Sequence, residues 1–283
     1  MGLTIMAENL VAVLTNCYGE YGVAGAIENV RALGLRNLEV AVRSHSGDLV
    51  VPESVVPTEK LPEAELQAYK DKLDEHGVLA TSVNGGDDML DPEGIERVKK
   101  RLDICVKFGA SILVGSAGEV SDDTDRMQLY RNLTDVGDYA AERGIIVAFE
   151  THPGITVNGP EMVRTMKDLD HPNLRLNFDT GNILFYNDGA DVIEHLNMVI
   201  EWVCHFHLKD SRGGFHEWYF PALGDGGAVD FAEVGRVSND AGFYGPFSME
   251  LEGIRGEPLL TLEQRQERLQ RSVDHLRDIG FLN

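Results

Sequence analysis

Four short segments in the second half of the chain end in side chains that bind cations or move protons. They read Ala148-Phe149-Glu150-Thr151-His152, Asn177-Phe178-Asp179-Thr180-Gly181-Asn182, His205-Phe206-His207-Leu208-Lys209-Asp210 and Ser248-Met249-Glu250-Leu251-Glu252. Glu150, Asp179, His207 and Glu250 form a hard, mostly oxygen donor set, suited to one divalent cation such as Mn²⁺, Mg²⁺, Co²⁺ or Zn²⁺. Each carboxylate alone is equally well explained as a solvated strand end. Several converging on one pocket would repel each other, and a metal ion removes that cost. These four residues are therefore the predicted metal ligands.

Their neighbours are weaker candidates. His205 and His207 are two apart and face the same way on a strand. His207 lies nearer the carboxyl end and is the expected ligand; His205 is expected one layer deeper, as a hydrogen-bonded core residue. His152 stands two after Glu150, as a substrate contact or an ordinary loop histidine. Glu252 bears the same relation to Glu250 and reads as a solvated rim residue. Lys209 and Arg212 follow the seventh strand, where cations hold substrate hydroxyls or a carboxylate, or pair with nearby acids. Arg43, His45 and Asn84 end the second and third strands. Glu39 lies mid-strand, and parity leaves its direction open. The aromatic-rich stretch Gly213–Phe220 is expected to cover the pocket and stack on a sugar face, or to pack against a partner subunit.

Placing four such ends on one rim needs a parallel sheet. Short β-branched runs predict strands over Asn9–Leu14, Asn37–Arg43, Val78–Val83, Ser111–Gly115, Ile145–Thr151, Leu174–Asp179, Trp202–Leu208 and Phe247–Leu251. Amphipathic spacing predicts helices over Val23–Leu33, Pro62–His76, Pro92–Phe108, Asp122–Arg143, Gly159–Leu169, Ala190–Glu201, Asp230–Ala241 and Thr261–Gly280. Asp91-Pro92 is a start signal; Gly109 and Gly144 stand where helices end. Eight βα units imply a (β/α)₈ TIM barrel, with active-site residues at the carboxyl ends of the strands. No linker divides the chain, so residues 1–283 are read as a single domain. An open doubly wound sheet would carry a glycine-rich turn after the first strand. The sequence there is Thr15-Asn16-Cys17-Tyr18-Gly19-Glu20.

Composition excludes several classes. The 283 residues carry 25 basic and 47 acidic side chains, a net charge of −22. Such a surface repels phosphate backbones, so no nucleic-acid partner is expected. No apolar run approaches the roughly 20 residues of a membrane span. Met1–Glu8 lacks the basic and apolar regions of a signal peptide. Three cysteines without CxxC spacing fit a reducing compartment, and a cytoplasmic protein is expected. No GxSxG or GxxxxGK[ST] is present, which argues against a hydrolase elbow and a P-loop.

The set VAFETH, LNFDTGN, HFHLKD, LGDGGAVDF and FSMELEG, in this order, resembles the xylose isomerase-like TIM-barrel superfamily and its sugar phosphate isomerase/epimerase branch. The resemblance is clearest from the fifth strand to the eighth. It implies one divalent metal on Glu150, Asp179, His207 and Glu250. By likeness to the ketose 3-epimerases, it also implies an acid/base pair of Glu150 and Glu250. Those epimerases carry a histidine three positions after the metal-binding aspartate. Here Asn182 takes that place and joins His152, Lys209 and Arg212 as an expected substrate contact. In LGDGGAVDF, Gly224, Gly226 and Gly227 are expected to permit a tight turn and Asp230 to cap a helix. Related enzymes that cleave DNA at abasic sites use a three-metal cluster with many more histidines than this chain places at the motif-bearing strand ends.

The expected activity is isomerisation or epimerisation of a ketose, aldose or inosose through an enediolate. Metal-dependent dehydration of a sugar or inosose is the alternative, and a non-catalytic sugar-binding barrel a third reading. The expected partner is a small sugar or polyol, with a homo-oligomer possible.

Overall fold

The computed structural model describes residues 9–43 and 57–282. His45 and the stretch Met1–Glu8 lie outside them. Eight parallel strands close into a barrel: β1 (Leu10–Leu14), β2 (Asn37–Ala41), β3 (Leu79–Asn84), β4 (Ile112–Gly115), β5 (Ile146–Glu150), β6 (Leu174–Asp179), β7 (Val203–Leu208) and β9 (Pro246–Met249). A two-residue strand, β8 (Tyr219–Phe220), pairs antiparallel with β10 (Gly253–Ile254) outside the barrel.

The helices that cover the barrel are α1 (Gly22–Asn29), α2 (Glu63–His76), α3 (Pro92–Phe108), α4 (Asp123–Ala141), α5 (Gly159–Leu169), α6 (Thr180–Tyr186), α7 (Val192–Val199), α8 (Phe231–Asp240) and α9 (Leu262–Asp278). The end signals act as read. Asp91 caps α3 by accepting from the Glu93 and Gly94 amides, and Asp230 caps α8 by accepting from the Glu233 amide. Gly109 ends α3 in the left-handed conformation at φ 77°. The short α6 and the β8–β10 pair were not expected from the sequence. Both are brief elements on the connections after β6, β7 and β9, too short for a periodic signal.

Alternation along each strand divides the side chains into two sets. Leu38, Val40, Val83, Val147, Phe149, Phe178, Phe206 and Phe247 belong to the large core that packs under the helices. The residues between them point into the barrel. Ile112, Val114 and Ala148 form a small apolar cluster there. Beside Ala12 and Leu14 of β1, that inner set holds buried polar residues: Glu39, Ser82, Asn84, Asn177, Asp179, His205, His207 and Ser248. An interior so polar needs a hydrogen-bond partner for each group.

Candidate metal centre

Asp179 ends β6 and caps α6 in one step. Its Oδ1 accepts from the backbone N–H groups of Gly181 and Asn182, both at 2.9 Å. Its Oδ2 is buried and has no hydrogen-bond partner among the described residues. Opposite it in the parallel register stands His207 on β7, fully buried. His207 Nδ1 lies 3.4 Å from Glu150 Oε1, 3.3 Å from Glu250 Oε2 and 3.8 Å from Asp179 Oδ2. The strand order β5, β6, β7, β9 puts Glu150 and Glu250 on either flank of the Asp179–His207 pair. One donor atom from each of the four lies within 4.8 Å of all the others, a set that could hold a metal ion.

The flanking carboxylates are held in place. Asn182 Nδ2 donates to Glu150 Oε1 at 3.3 Å and to the Thr151 carbonyl at 3.0 Å. Asn16 Nδ2 donates to Glu250 Oε1 at 3.1 Å. Lys209 Nζ reaches Glu250 Oε2 at 3.2 Å and Glu252 Oε2 at 2.5 Å. Glu252 is therefore a partner of Lys209 rather than a merely solvated rim residue, because the backbone turn after β9 brings it over the buried ammonium. Thr180 fixes the lysine's backbone, its hydroxyl donating to the Lys209 carbonyl at 2.8 Å and accepting from the Lys209 N–H at 3.0 Å. Gly181 leaves room for the stem: a Cβ there would stand 2.7 Å from Lys209 Cγ.

The charges explain how the site titrates. Burial alone would push the Glu150 carboxyl up; the adjacent His207 outweighs it and holds it below its ordinary value. Burial, with Glu252 and Glu150 nearby, pushes Glu250 well up in spite of Lys209 and His207. Burial opposes charge on His207 and on Lys209, yet the surrounding carboxylates raise both well above their ordinary values. The cluster thus attracts positive charge, and a divalent cation can take the place of the proton on His207 Nδ1.

His207 belongs to a second group as well. Its Nε2 lies 3.0 and 3.1 Å from the two oxygens of Glu39, with His205 Nε2 3.5 Å from Glu39 Oε2. His205 sits one layer deeper, as expected, donating from Nδ1 to Asn177 Oδ1 at 2.9 Å and accepting from the Ser82 hydroxyl at 3.0 Å. Burial lowers its pKa to about 4, so it is neutral. This inner group is knitted together by its own hydrogen bonds. The outer group keeps a bare oxygen, Asp179 Oδ2, and Glu150 leads out of it to an open cavity. The outer group is the one that fits a metal.

That cavity, of about 550 Å³, is lined by Arg43, Asn84, Asp87, Glu119, Glu150 and His152 among others. It lies over β2 to β5. The aromatic stretch after β7 packs on α6, with His216, Trp218 and Phe220 around the Phe185 ring at 5.4, 6.0 and 5.6 Å, and its Phe220 ring lies 4.4 Å from the Lys209 ammonium of the cluster. His152 lines the cavity, with its Nε2 3.3 Å from the Tyr186 hydroxyl. Lys209 and Asn182 stand in the cluster. Arg212 does not: it is exposed, donates from Nε to Glu217 at 2.8 Å and lies over the Tyr219 ring. Asp87 and Glu119 were missed in the sequence, since loop acids carry no signal of direction. Glu39 did carry one, a charged residue inside an apolar strand.

A closed parallel barrel with a carboxylate–histidine cluster at the carboxyl ends of its strands defines a class of TIM-barrel proteins. The chain belongs to the xylose isomerase-like TIM barrel family, whose model matches residues 22–279. It is similar to an inosose dehydratase of Geobacillus thermodenitrificans, 31% identical over 140 residues, which cover 44% of this chain and 46% of that one. The chain thus spans about half the length of the curated relatives it matches. Its fold is shared with a xylose isomerase-like TIM barrel protein from Mycobacterium smegmatis in complex with magnesium, at TM-score 0.72, 18% identity and coverage of 96% and 98%. It is shared also with a D-psicose 3-epimerase, at TM-score 0.74, 15% identity and coverage of 95% and 99%.

Proposed function

We propose that this protein is a metal-dependent enzyme that removes the carbon-bound proton next to the carbonyl of a small, uncharged polyhydroxy ketone and then expels a β-hydroxyl as water. The observation that carries this reading is the order of groups on the rim. A cavity-facing carboxylate, Glu150, stands on one flank of Asp179 and His207; Glu250 with the Lys209 ammonium stands on the other.

A divalent cation held by Glu150, Asp179, His207 and Glu250 would supply Lewis-acid polarisation of the carbonyl. Glu150, kept ionised by His207, takes the proton. Lys209, kept charged by Glu250, Glu252 and Asp179, faces the charge that develops and hydrogen-bonds the departing hydroxyl. Glu250, on the opposite flank from Glu150, returns a proton to the departing hydroxyl, which leaves as water. His152 and Asn182 orient the substrate at the Glu150 side. Among the described residues, the cavity carries Asp87, Asp88 and Glu119 beside one lining arginine, Arg43, which favours a neutral polyol over a phosphorylated one. The partial match to an inosose dehydratase supports dehydration.

Isomerisation or epimerisation is the second reading. Two carboxylates on opposite flanks suit removal of a proton and its return to another carbon or the other face. Asn182, in the place where ketose 3-epimerases carry a histidine, weighs against the 3-epimerase version.

Heavy water separates the outcomes. Metal-loaded protein is incubated in it with free inososes, ketoses and aldoses and followed by NMR and mass spectrometry. A dehydratase yields a product lighter by one water. An isomerase or epimerase yields deuterium beside the carbonyl with the skeleton intact. Glu150→Gln and Glu250→Gln should each lower turnover by on the order of 10²-fold. Full turnover in both variants with metal bound would overturn the two-glutamate mechanism.

A further inference from the structure

Glu39 is fully buried inside the barrel, on the side of His207 away from the three carboxylates of the metal cluster. Both of its oxygens lie within hydrogen-bond distance of His207 Nε2, at 3.0 and 3.1 Å. Its Oε1 also accepts from Asn84 Nδ2 at 2.9 Å. Asn84 in turn accepts from Arg43 Nη2 at 2.9 Å through its Oδ1. Arg43 and Asn84 both line the cavity. A continuous line of contacts therefore runs from the cavity wall, through Asn84 and Glu39, to the back of the His207 ring.

We propose that Glu39 is the positioning residue that orients His207 for metal binding, and that Asn84 fixes Glu39 in turn. The inference rests on reading Glu150, Asp179, His207 and Glu250 as the metal site. Two consequences of geometry carry it. A carboxylate at Nε2 keeps a proton on that nitrogen, which leaves Nδ1 as the atom with a lone pair to give. With Asn177 Nδ2 3.1 Å from Nδ1 on the other side, the same bond sets the rotation of the ring, so that Nδ1 faces Glu150 and Glu250 at 3.4 and 3.3 Å. A carboxylate behind a ligating imidazole also makes it a stronger donor. Glu39 meets Nε2, whereas Glu150, Asp179 and Glu250 gather at Nδ1, so Glu39 stands outside that four-residue donor set.

The test is a calorimetric titration of the full chain with Mn²⁺ after chelator treatment, with a thermal melt of each variant. Glu39→Gln keeps the shape and one acceptor but removes the charge; it should weaken Mn²⁺ binding about 10-fold. Glu39→Ala removes the contact and should weaken it by on the order of 100-fold. Both should still bind about one ion per chain, as one four-ligand site requires. A purely structural role would lower the melting temperature and leave the affinity of the folded protein unchanged. Folded Glu39 variants that bind Mn²⁺ as the wild type does would overturn the proposal. If neither Glu39 variant folds, Asn84→Ala decides: a severalfold loss of affinity supports the proposal, and wild-type affinity overturns it. A wild-type protein that binds no Mn²⁺ overturns the metal reading itself, and this inference with it.

Discussion

Asp179 accepts from the backbone N–H of Asn182 with one carboxylate oxygen, at 2.9 Å, and leaves the other buried without a hydrogen-bond partner among the described residues. Capping a helix and the proposed binding of a cation thus fall to two different atoms of one side chain. The bare Oδ2 faces His207 Nδ1 at 3.8 Å and Lys209 Nζ at 3.7 Å.

Substitution separates these tasks. Asn is as good a helix cap as Asp. Asp179→Asn should therefore keep the melting temperature of the chelator-treated protein while weakening divalent-metal binding at least about tenfold, since a charged donor is lost. Asp179→Ala should lose the metal and also about 1 kcal/mol of stability with the cap. Calorimetric titration and denaturant melts check both; unchanged metal affinity in the two variants would remove Asp179 from the ligand set.

Metal affinity should rise with pH. His207 lies among Glu39, Glu150, Asp179 and Glu250, and they raise its pKa well above the ordinary imidazole value in spite of burial. The ligating form is the one with Nδ1 free, so below that pKa a proton competes with the metal. Each pH unit gained there should tighten binding up to about tenfold for one proton released. Titrations in buffers of different ionisation enthalpy would reveal that proton in the observed heats. Buffer-independent heats and a flat pH profile would contradict it.

Lys209→Met keeps the stem and removes the ammonium that Glu250, Glu252 and Asp179 surround. Turnover should fall by on the order of 10²-fold. Metal affinity should rise or hold, because a competing cation is gone. Turnover at the wild-type level, with substrate identified by the heavy-water assay, would exclude Lys209 from the reaction.

Gly227→Ala tests the loop behind the site. Asp210 gathers the backbone N–H groups of Ser211, Gly224 and Val229 at 2.9, 2.9 and 3.3 Å. A Cβ on Gly227 would lie 1.8 Å from Asp210 Oδ1. The expected cost is about 1–3 kcal/mol in a denaturant melt, as for an overpacked contact. An unaffected midpoint would show that the loop yields freely.

The barrel and the carboxylate–histidine cluster were legible in the sequence because both rest on local regularities. Alternation with a period of two tells which strand residues share a face, and Glu150, Asp179, His207 and Glu250 stand at or just past the strand ends that the periodic runs mark. His205 was placed one layer below His207 by the same spacing. Depth and register across the barrel are another matter. They depend on how eight strands close, including the shifts between Leu38 and Glu39 against β3 and between Leu176 and Asn177 against β7. Only closure brings Glu39 to His207 across 168 residues of chain, and Asn84 to Glu39 across 45. Closure likewise sets Glu252 on Lys209, opens a cavity over β2 to β5, and turns Arg212 outward to Glu217. A strand's own pattern states which way a side chain points, but what it meets there is set by the strands on the other side of the barrel.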